Sequence, residues 1–309
     1  MNNNKKGFIP VMLTPFKENG SIDFDGLTEL IEFYLSAGAS GLFANCLSSE
    51  MFDLTPEERL LITKHIIKAS QGQVPVVATA TFGGKIEKQA DFVKEMYDTG
   101  LEAAIVITNM LAAQEETEEV FKKKVYDLFE HTGNIPLGFY ECPEPYKRIL
   151  SAKQLQEFVQ TGRVIYHKDT SLNIDQVRMK VEATKANSAF GLYDAYMVHA
   201  AESLKAGSAG LSCIQGNYFP ELIVWFCENY TNETMKSQVA EVQQFLIDNM
   251  DVMHQDYPMS AKYYLQKCGV KISILTRTQG TSLMKDLKDR IEILFQAYSK
   301  LKGKIGLTG

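Results

Sequence analysis

The chain has 309 residues, 45% of them hydrophobic and 23% charged, a globular composition that excludes a disordered or fibrous protein and is long enough to bury a large core. Lys and Arg total 32 against 38 Asp and Glu, so the net charge of -6 offers no electrostatic footprint for nucleic acid and points to a small-molecule site. The N-terminus MNNNKKGF holds no signal-like apolar run, and no later stretch approaches the roughly 18 to 20 apolar residues of a membrane span, so a cytoplasmic protein without a membrane partner is expected.

In chain order, short β-rich apolar segments begin near Phe8, Gly41, Val74, Ala103, Pro136, Val164, Ser188 and Gly210, 22 to 33 residues apart. Each interval is about what one strand, two turns and one helix consume, and eight such units imply an α/β fold of the (β/α)8 TIM barrel type. After the first strand, Ile22 to Ser36 place Leu27, Leu30, Ile31 and Tyr34 on one helical face. After the second, TPEER supplies Thr55 as N-cap, Pro56 at the first helical position and Glu58 three residues beyond the cap. Amphipathic stretches follow from about Lys85 to Tyr97 and from Glu116 to Glu130. Beyond Ile214 the pattern is helical only, clearest over Pro220 to Asn229, Glu233 to Met253 and Lys285 to Leu301. These readings place a catalytic barrel over residues 1–218 and a C-terminal helical extension over residues 219–309.

Cys46, Cys142, Cys213, Cys227 and Cys268 are odd in number, scattered and never in a CxxC pair, which predicts free thiols. The five histidines lack ligand spacing, so no metal is assigned. In a barrel of this kind the chemistry sits at the C-terminal strand ends. Two ends stand out: Gly138-Phe139-Tyr140 before Glu141-Cys142-Pro143, and Val164 to Lys168 before Asp169-Thr170-Ser171. A lysine there must be desolvated, which lowers its proton affinity and leaves neutral amine to attack a carbonyl. A tyrosine on the adjacent strand reaches the same space and can relay protons. The ordinary alternative is a rim lysine paired with a carboxylate, for which Asp169 offers itself. His167 should face away from Lys168 across the strand. Asn45 to Glu50, with Ser48 and Ser49 after a strand, offers donors to an anion, or simple turn and capping chemistry.

Taken together, GFIPVMLTPF (Gly7 to Phe16), CLSSE (Cys46 to Glu50), LTPEER, GFYECP (Gly138 to Pro143), HKDTS (His167 to Ser171) and AGSAGLS (Ala206 to Ser212) resemble the dihydrodipicolinate synthase and N-acetylneuraminate lyase family of pyruvate-dependent class I aldolases. The resemblance covers nearly the whole chain. It implies Lys168 as Schiff-base lysine, Tyr140 as catalytic phenol and Ser48 as a hydroxyl on the 2-oxo acid carboxylate. It further implies a structural Glu50, no cofactor beyond the imine, and a homo-oligomer, usually a tetramer. Thr170, in Lys-x-Thr-Ser, and Tyr196 are lyase-like.

Departures from the family pattern bear on the substrate. Leu47 stands where a Ser or Thr is usual, which shifts anion binding to Ser48, Ser49 and backbone N–H groups. Asn109-Met110-Leu111 replaces Pro-Tyr-Tyr, and Glu144-Pro145-Tyr146 replaces a stretch in which the synthases place an arginine. Met197 and Val198 replace the acidic pair that holds sugar hydroxyls. If Met110, Leu111, Met197 and Val198 line the site, they favour a compact or apolar aldehyde over a polyol, and ordinary barrel packing is the competing reading. The expected activity is a 2-oxo acid lyase or aldolase that is neither authentic dihydrodipicolinate synthase nor sialic acid lyase. A 2-oxo-3-deoxy sugar acid dehydratase using the same imine, or a non-catalytic 2-oxo acid binding protein, are the alternatives.

Overall fold

Parallel pairing of short apolar strands, each followed by a helix that covers its outer face, builds a closed barrel; the computed structural model describes residues 6–307, Gln279 and Thr281 excepted. The strands are β1 (Gly7–Phe8), β2 (Leu42–Ala44), β3 (Val76–Thr79), β4 (Ala103–Ile107), β5 (Leu137–Tyr140), β6 (Val164–Asp169), β7 (Gly191–Asp194) and β8 (Gly210–Leu211). Their ladder runs β1-β8-β7-β6-β5-β4-β3-β2. Beyond that ladder, Phe43 N–H donates to the Pro10 carbonyl at 3.1 Å and Met12 N–H donates to the Phe43 carbonyl at 3.0 Å, so the ring closes between the segment after β1 and β2. The TIM barrel read from the apolar spacing is therefore the fold, with strand starts within three residues of those expected.

Between the strands lie α1 (Phe24–Ser36), α2 (Pro56–Ser70), α3 (Ile86–Tyr97), α4 (Glu118–Thr132), α5 (Ala152–Gln160), α6 (Ile174–Thr184) and α7 (Ala200–Ala206). The Thr55 cap forms as its sequence requires: Glu58 N–H donates to Thr55 Oγ1 at 3.2 Å and Thr55 N–H donates to Glu58 Oε2 at 3.0 Å. Then come α8 (Pro220–Asn229), α9 (Lys236–Asp248), α10 (Met250–His254), α11 (Met259–Lys267) and α12 (Lys285–Ile305). The single stretch expected over Glu233 to Met253 is broken at Asn249, and α11 carried no clear pattern in the sequence. Because α8 packs against β1 and β8, it takes the place of the eighth barrel helix, and we place the start of the extension after Asn229 rather than at residue 219. Among the described residues no helix is long and apolar enough to cross a membrane.

Period-two alternation sorts the strand side chains into two layers. Leu42, Ala44, Val106, Phe139, Val164 and Leu192 face the helices, whereas Phe43, Ile105, Ile107, Tyr140, Tyr166 and Tyr193 fill the barrel. The extension is pinned to the barrel by buried charge. Lys262 Nζ on α11 donates to Glu50 Oε1 at 2.8 Å, Arg277 N–H donates to Glu50 Oε2 at 2.6 Å, and the Arg277 guanidinium grips both Glu58 oxygens.

At the β1–β8 seam the backbones approach so closely that a Cβ on Gly210 would stand 1.8 Å from the Gly7 carbonyl oxygen. Backbone cannot yield as a side-chain tip can. Gly210→Ala is expected to cost about 3 kcal/mol, the upper end of ordinary overpacking, and equilibrium urea unfolding of the variant checks it.

Candidate active site

A register shift between Leu137 and Gly138 sets Tyr140 directly beside Lys168 across β5 and β6. Gly138 makes the shift possible, since a Cβ there would lie 2.5 Å from Ile105 Cδ1 and 2.8 Å from Tyr166 Cβ. In unshifted register Tyr140 would face His167, and the lysine would turn out of the barrel. As built, Lys168 Nζ sits 4.3 Å from the centre of the Tyr140 ring and 5.7 Å from that of Phe43. Phe43 meets the Tyr140 ring edge-on, and stacked Tyr166 and Tyr193 fill the space around them.

No ion pair reaches Lys168 among the described residues. Its titratable neighbours are the thiols of Cys46, Cys142 and Cys213; burial pushes Cys142 up to about 11 and Cys213 up to about 12, so both are uncharged at neutral pH. Burial without a counter-charge lowers the pKa of the Lys168 amine. The same burial, reinforced by the neighbouring thiols, raises the Tyr140 phenol well above its ordinary value and keeps it protonated. One group is thus made ready to lose its proton and the other to hold its own.

The carboxylate expected to pair with Lys168 serves another cation. Asp169 turns outward, as does His167, and Asp169 Oδ2 accepts from Lys180 Nζ on α6 at 2.6 Å. Lys180 also donates to Glu141 Oε1 at 2.6 Å, and all three side chains are buried. Glu141 accepts in addition from Leu150 N–H at 2.9 Å and Thr170 N–H at 3.1 Å. His167 Nε2 lies 3.4 Å from Glu141 and 3.8 Å from Asp169, a charge contact without hydrogen-bond geometry. Burial alone would lower the imidazole, but the Glu141 and Asp169 carboxylates outweigh it and raise it. Burial alone would raise the Asp169 carboxyl, but His167 and Lys180 hold it well below the usual range. Glu141, His167 and Asp169 have the donor types and proximity of a metal site, yet the cation facing the two carboxylates is the Lys180 ammonium.

The hydroxyl residues divide in the same way. Ser49 Oγ donates to the Met12 carbonyl at 2.6 Å and accepts from Cys46 N–H at 3.0 Å, so its proton serves the loop. Thr170 Oγ1 donates to the Glu141 carbonyl. Neither has a proton left for a substrate carboxylate, contrary to the substrate-binding roles expected of them. Ser48, the other hydroxyl of this loop, is buried.

Of the apolar departures, Met110 is half-buried and borders the interior cluster that contains Tyr140. Leu111 and Met197 are buried in the layer between barrel and helices, and Val198 is exposed, so we do not assign these three to the substrate pocket. Tyr196 follows β7, half-buried with its ring edge on His199. Asn109 Nδ2 ties down the carbonyls of Cys142, Glu144 and Tyr146, a loop clamp rather than a ligand. Lys180, Phe43, Asn217 and Tyr257 had no local signal in the sequence, because each reaches the site from another element.

A model of the dihydrodipicolinate synthetase family matches residues 4–298. The chain belongs to this family. It is similar to the 4-hydroxy-tetrahydrodipicolinate synthase of Marinobacter nauticus, with 23% identity over 266 residues, 85% of this chain and 89% of the relative. The synthase of Oceanobacillus iheyensis is 24% identical over 78% of this chain and 82% of its own length. In fold, the chain resembles dihydrodipicolinate synthase from Aquifex aeolicus (TM-score 0.83, 18% identity, 95% of this chain and 98% of that one). It likewise resembles YagE of E. coli K12, solved in complex with pyruvate (TM-score 0.84, 22% identity, 96% and 98%). The protein is a class I lyase of the dihydrodipicolinate synthetase family.

The Lys180 bridge predicts its own loss. Lys180→Met leaves two buried carboxylates facing each other, and the variant should lose about 3 to 5 kcal/mol of unfolding free energy, read by urea denaturation near neutral pH.

Proposed function

We propose that the protein forms a Schiff base between Lys168 and a small 2-oxo acid of the pyruvate type and makes or breaks a carbon–carbon bond to an aldehyde. The observation that carries this reading is a buried lysine with no carboxylate partner among the described residues, set beside a protonated phenol at the barrel's strand ends. Neutral Lys168 attacks C2 of the oxo acid to give a carbinolamine. Tyr140 gives its proton to the departing hydroxyl, water leaves, and an iminium forms beside the bound carboxylate. In cleavage, the Tyr140 phenolate takes the proton of the C4 hydroxyl, the C3–C4 bond breaks, and its electron pair passes to the imine nitrogen as an enamine. The aldehyde departs, C3 is protonated, and hydrolysis returns the 2-oxo acid and the amine. No metal or organic cofactor enters these steps.

The second substrate differs from those of the familiar family members. Aspartate semialdehyde carries a carboxylate that calls for a free cation near Tyr140. Arg148 is committed to Glu118 at 2.5 Å and to the Ala113 and Glu116 carbonyls, while Lys147 Nζ is on the Thr170 carbonyl at 2.8 Å. Met110 remains as an apolar wall, with Tyr196 two residues beyond the end of β7. This supports a compact, sparsely hydroxylated aldehyde rather than a polyol.

Pyruvate with borohydride should add reduced pyruvate to Lys168 in intact-mass and peptide analysis, and Lys168→Ala should abolish the adduct. Because the Lys168 pKa is lowered, the trapping rate should rise with pH and level off below the ordinary lysine value of about 10.4. A rate still climbing through that value would count against an activated lysine. Tyr140→Phe should keep the fold and lose turnover by about 10²-fold. Condensation of pyruvate with aspartate semialdehyde and cleavage of N-acetylneuraminate should each fall below the roughly 10⁴ M⁻¹s⁻¹ of a competent enzyme, as kcat/KM from coupled assays will tell.

A further inference from the structure

The segments that leave β2, β3 and β4 carry Leu47, Phe82 and Met110, three half-buried apolar side chains packed against the inner cluster that contains Tyr140. Their strands are neighbours in the ladder, so the three segments adjoin at the C-terminal strand ends. Phe82 is held firmly. The Arg59 guanidinium lies 3.5 Å from the centre of its ring, while Arg59 Nε and one terminal nitrogen donate to the Met51 carbonyl at 3.0 and 2.8 Å. Phe52 and Phe92 meet the same ring edge-on, with centroids 6.4 and 6.0 Å away. Met110 is tied to the Phe82 segment: Gln89 Nε2 on α3 donates to the Gly84 carbonyl at 3.1 Å and to the Met110 carbonyl at 3.2 Å. Met110 Sδ stands 3.5 Å from where a Cβ on Gly83 would be, which brings the thioether against the backbone next to Phe82. Three further donors around this wall are spent on backbone carbonyls. Ser49 Oγ donates to Met12 at 2.6 Å, Thr108 Oγ1 to Arg148 at 2.7 Å, and Asn109 Nδ2 to Cys142 and Glu144 at 2.9 Å each. Substrate hydroxyls laid against Leu47, Phe82 and Met110 would meet carbon and sulfur where they need partners.

We propose that Leu47, Phe82 and Met110 form the subsite for the aldehyde, and that the group this aldehyde carries is a short alkyl or aryl chain without hydroxyls. The inference rests on the Schiff-base reading of Lys168 and deepens it by naming the class of second substrate. In condensation, C3 of the enamine forms the new bond to the aldehyde carbon, the carbonyl oxygen takes the Tyr140 proton, and the nitrogen returns to an iminium. Water then releases a 4-hydroxy-2-oxo acid and the free amine. Tyr140 pairs across the sheet with Ile107, the last residue of β4, and Met110 closes the single 3-10 turn that follows. With the C4 oxygen at Tyr140, the group beyond C4 extends toward the β4 and β3 ends, where ring, thioether and alkyl surface desolvate it and leave no polar group unpaired.

Cleavage of two length-matched acids by the full-length protein tests the subsite: 4-hydroxy-2-oxohexanoate and 4,5,6-trihydroxy-2-oxohexanoate, with released pyruvate as the readout. The first should have the higher kcat/KM by about tenfold or more. Met110→Asn and Leu47→Thr should each reduce that ratio by about threefold or more, chiefly through a fall for the first compound. A ratio near or below one in the unaltered protein, cleavage of neither compound, an unchanged ratio in both variants, or equal losses for both compounds would overturn the subsite. Pyruvate trapped on Lys168 by borohydride would still uphold the Schiff-base reading in each of those cases. Absence of any pyruvate adduct on the unaltered protein would overturn both, with the Lys168 assignment at fault. Should one variant prove insoluble, the ratio measured on the other decides.

Discussion

The buried Lys180 ammonium holds the ends of β5 and β6 in place. It stands 2.6 Å from a carboxylate oxygen of Glu141 and 2.6 Å from one of Asp169, the residues that immediately follow Tyr140 and Lys168. Glu141 extends the same hold to the backbone at Leu150 and Thr170. One cation on α6 therefore fixes the ends of β5 and β6, the loop that leaves β5 and the turn that leaves β6. Buried ion pairs of this sort contribute little net stability against an apolar replacement, because desolvation offsets the attraction. What the bridge supplies is placement, and positioned groups lose rate steeply when they move by an ångström.

Charge outside the strands permits neutrality inside them. Strand alternation sends Glu141, His167 and Asp169 toward α6 and their neighbours Tyr140 and Lys168 into the barrel. Two carboxylates face the Lys180 ammonium and the His167 ring in the outer set. The inner set is aromatic rings and thiols, which desolvate Lys168 without compensating its charge. An acid next in sequence to a lysine would ordinarily stabilise its protonated form. Here Asp169 is held by Lys180 on the far side of the sheet, so the amine keeps its lowered proton affinity.

The loops around Tyr140 and Lys168 are held by contacts of their own. The segment after Tyr140, where the chain departs from its family, is devoted to holding itself: Asn109 grips three of its carbonyls, and Arg148 closes on Glu118. Behind the loop after β2, buried Asn217 accepts from Tyr34 and donates to the Val11 carbonyl and to Tyr257 of the C-terminal helices. The extension is thus tied to the barrel's loops through Glu50, Asn217 and Tyr257.

The barrel, its strand starts, the Thr55 cap and the candidates Lys168 and Tyr140 were legible in the sequence, because apolar periodicity, capping chemistry and strand-end position are local signals. His167 was correctly turned away from Lys168 for the same reason: alternation needs only the next residue. Ser49, Thr170, Leu111 and Met197 were expected at the substrate; the Ser49 and Thr170 hydroxyls bond to backbone carbonyls and Leu111 and Met197 pack in the outer layer, since a residue type does not say where its proton goes or which layer it enters. Likewise, α8 belongs to the barrel by its packing on β1 and β8, which no helical pattern reveals. Only the tertiary structure could choose Lys180 over Lys168 as the partner of Asp169, shift β6 by one residue against β5, or bring Lys262 to Glu50 from more than two hundred residues away. Each of these is a contact between elements distant in sequence, fixed by register and desolvation rather than by neighbouring residues.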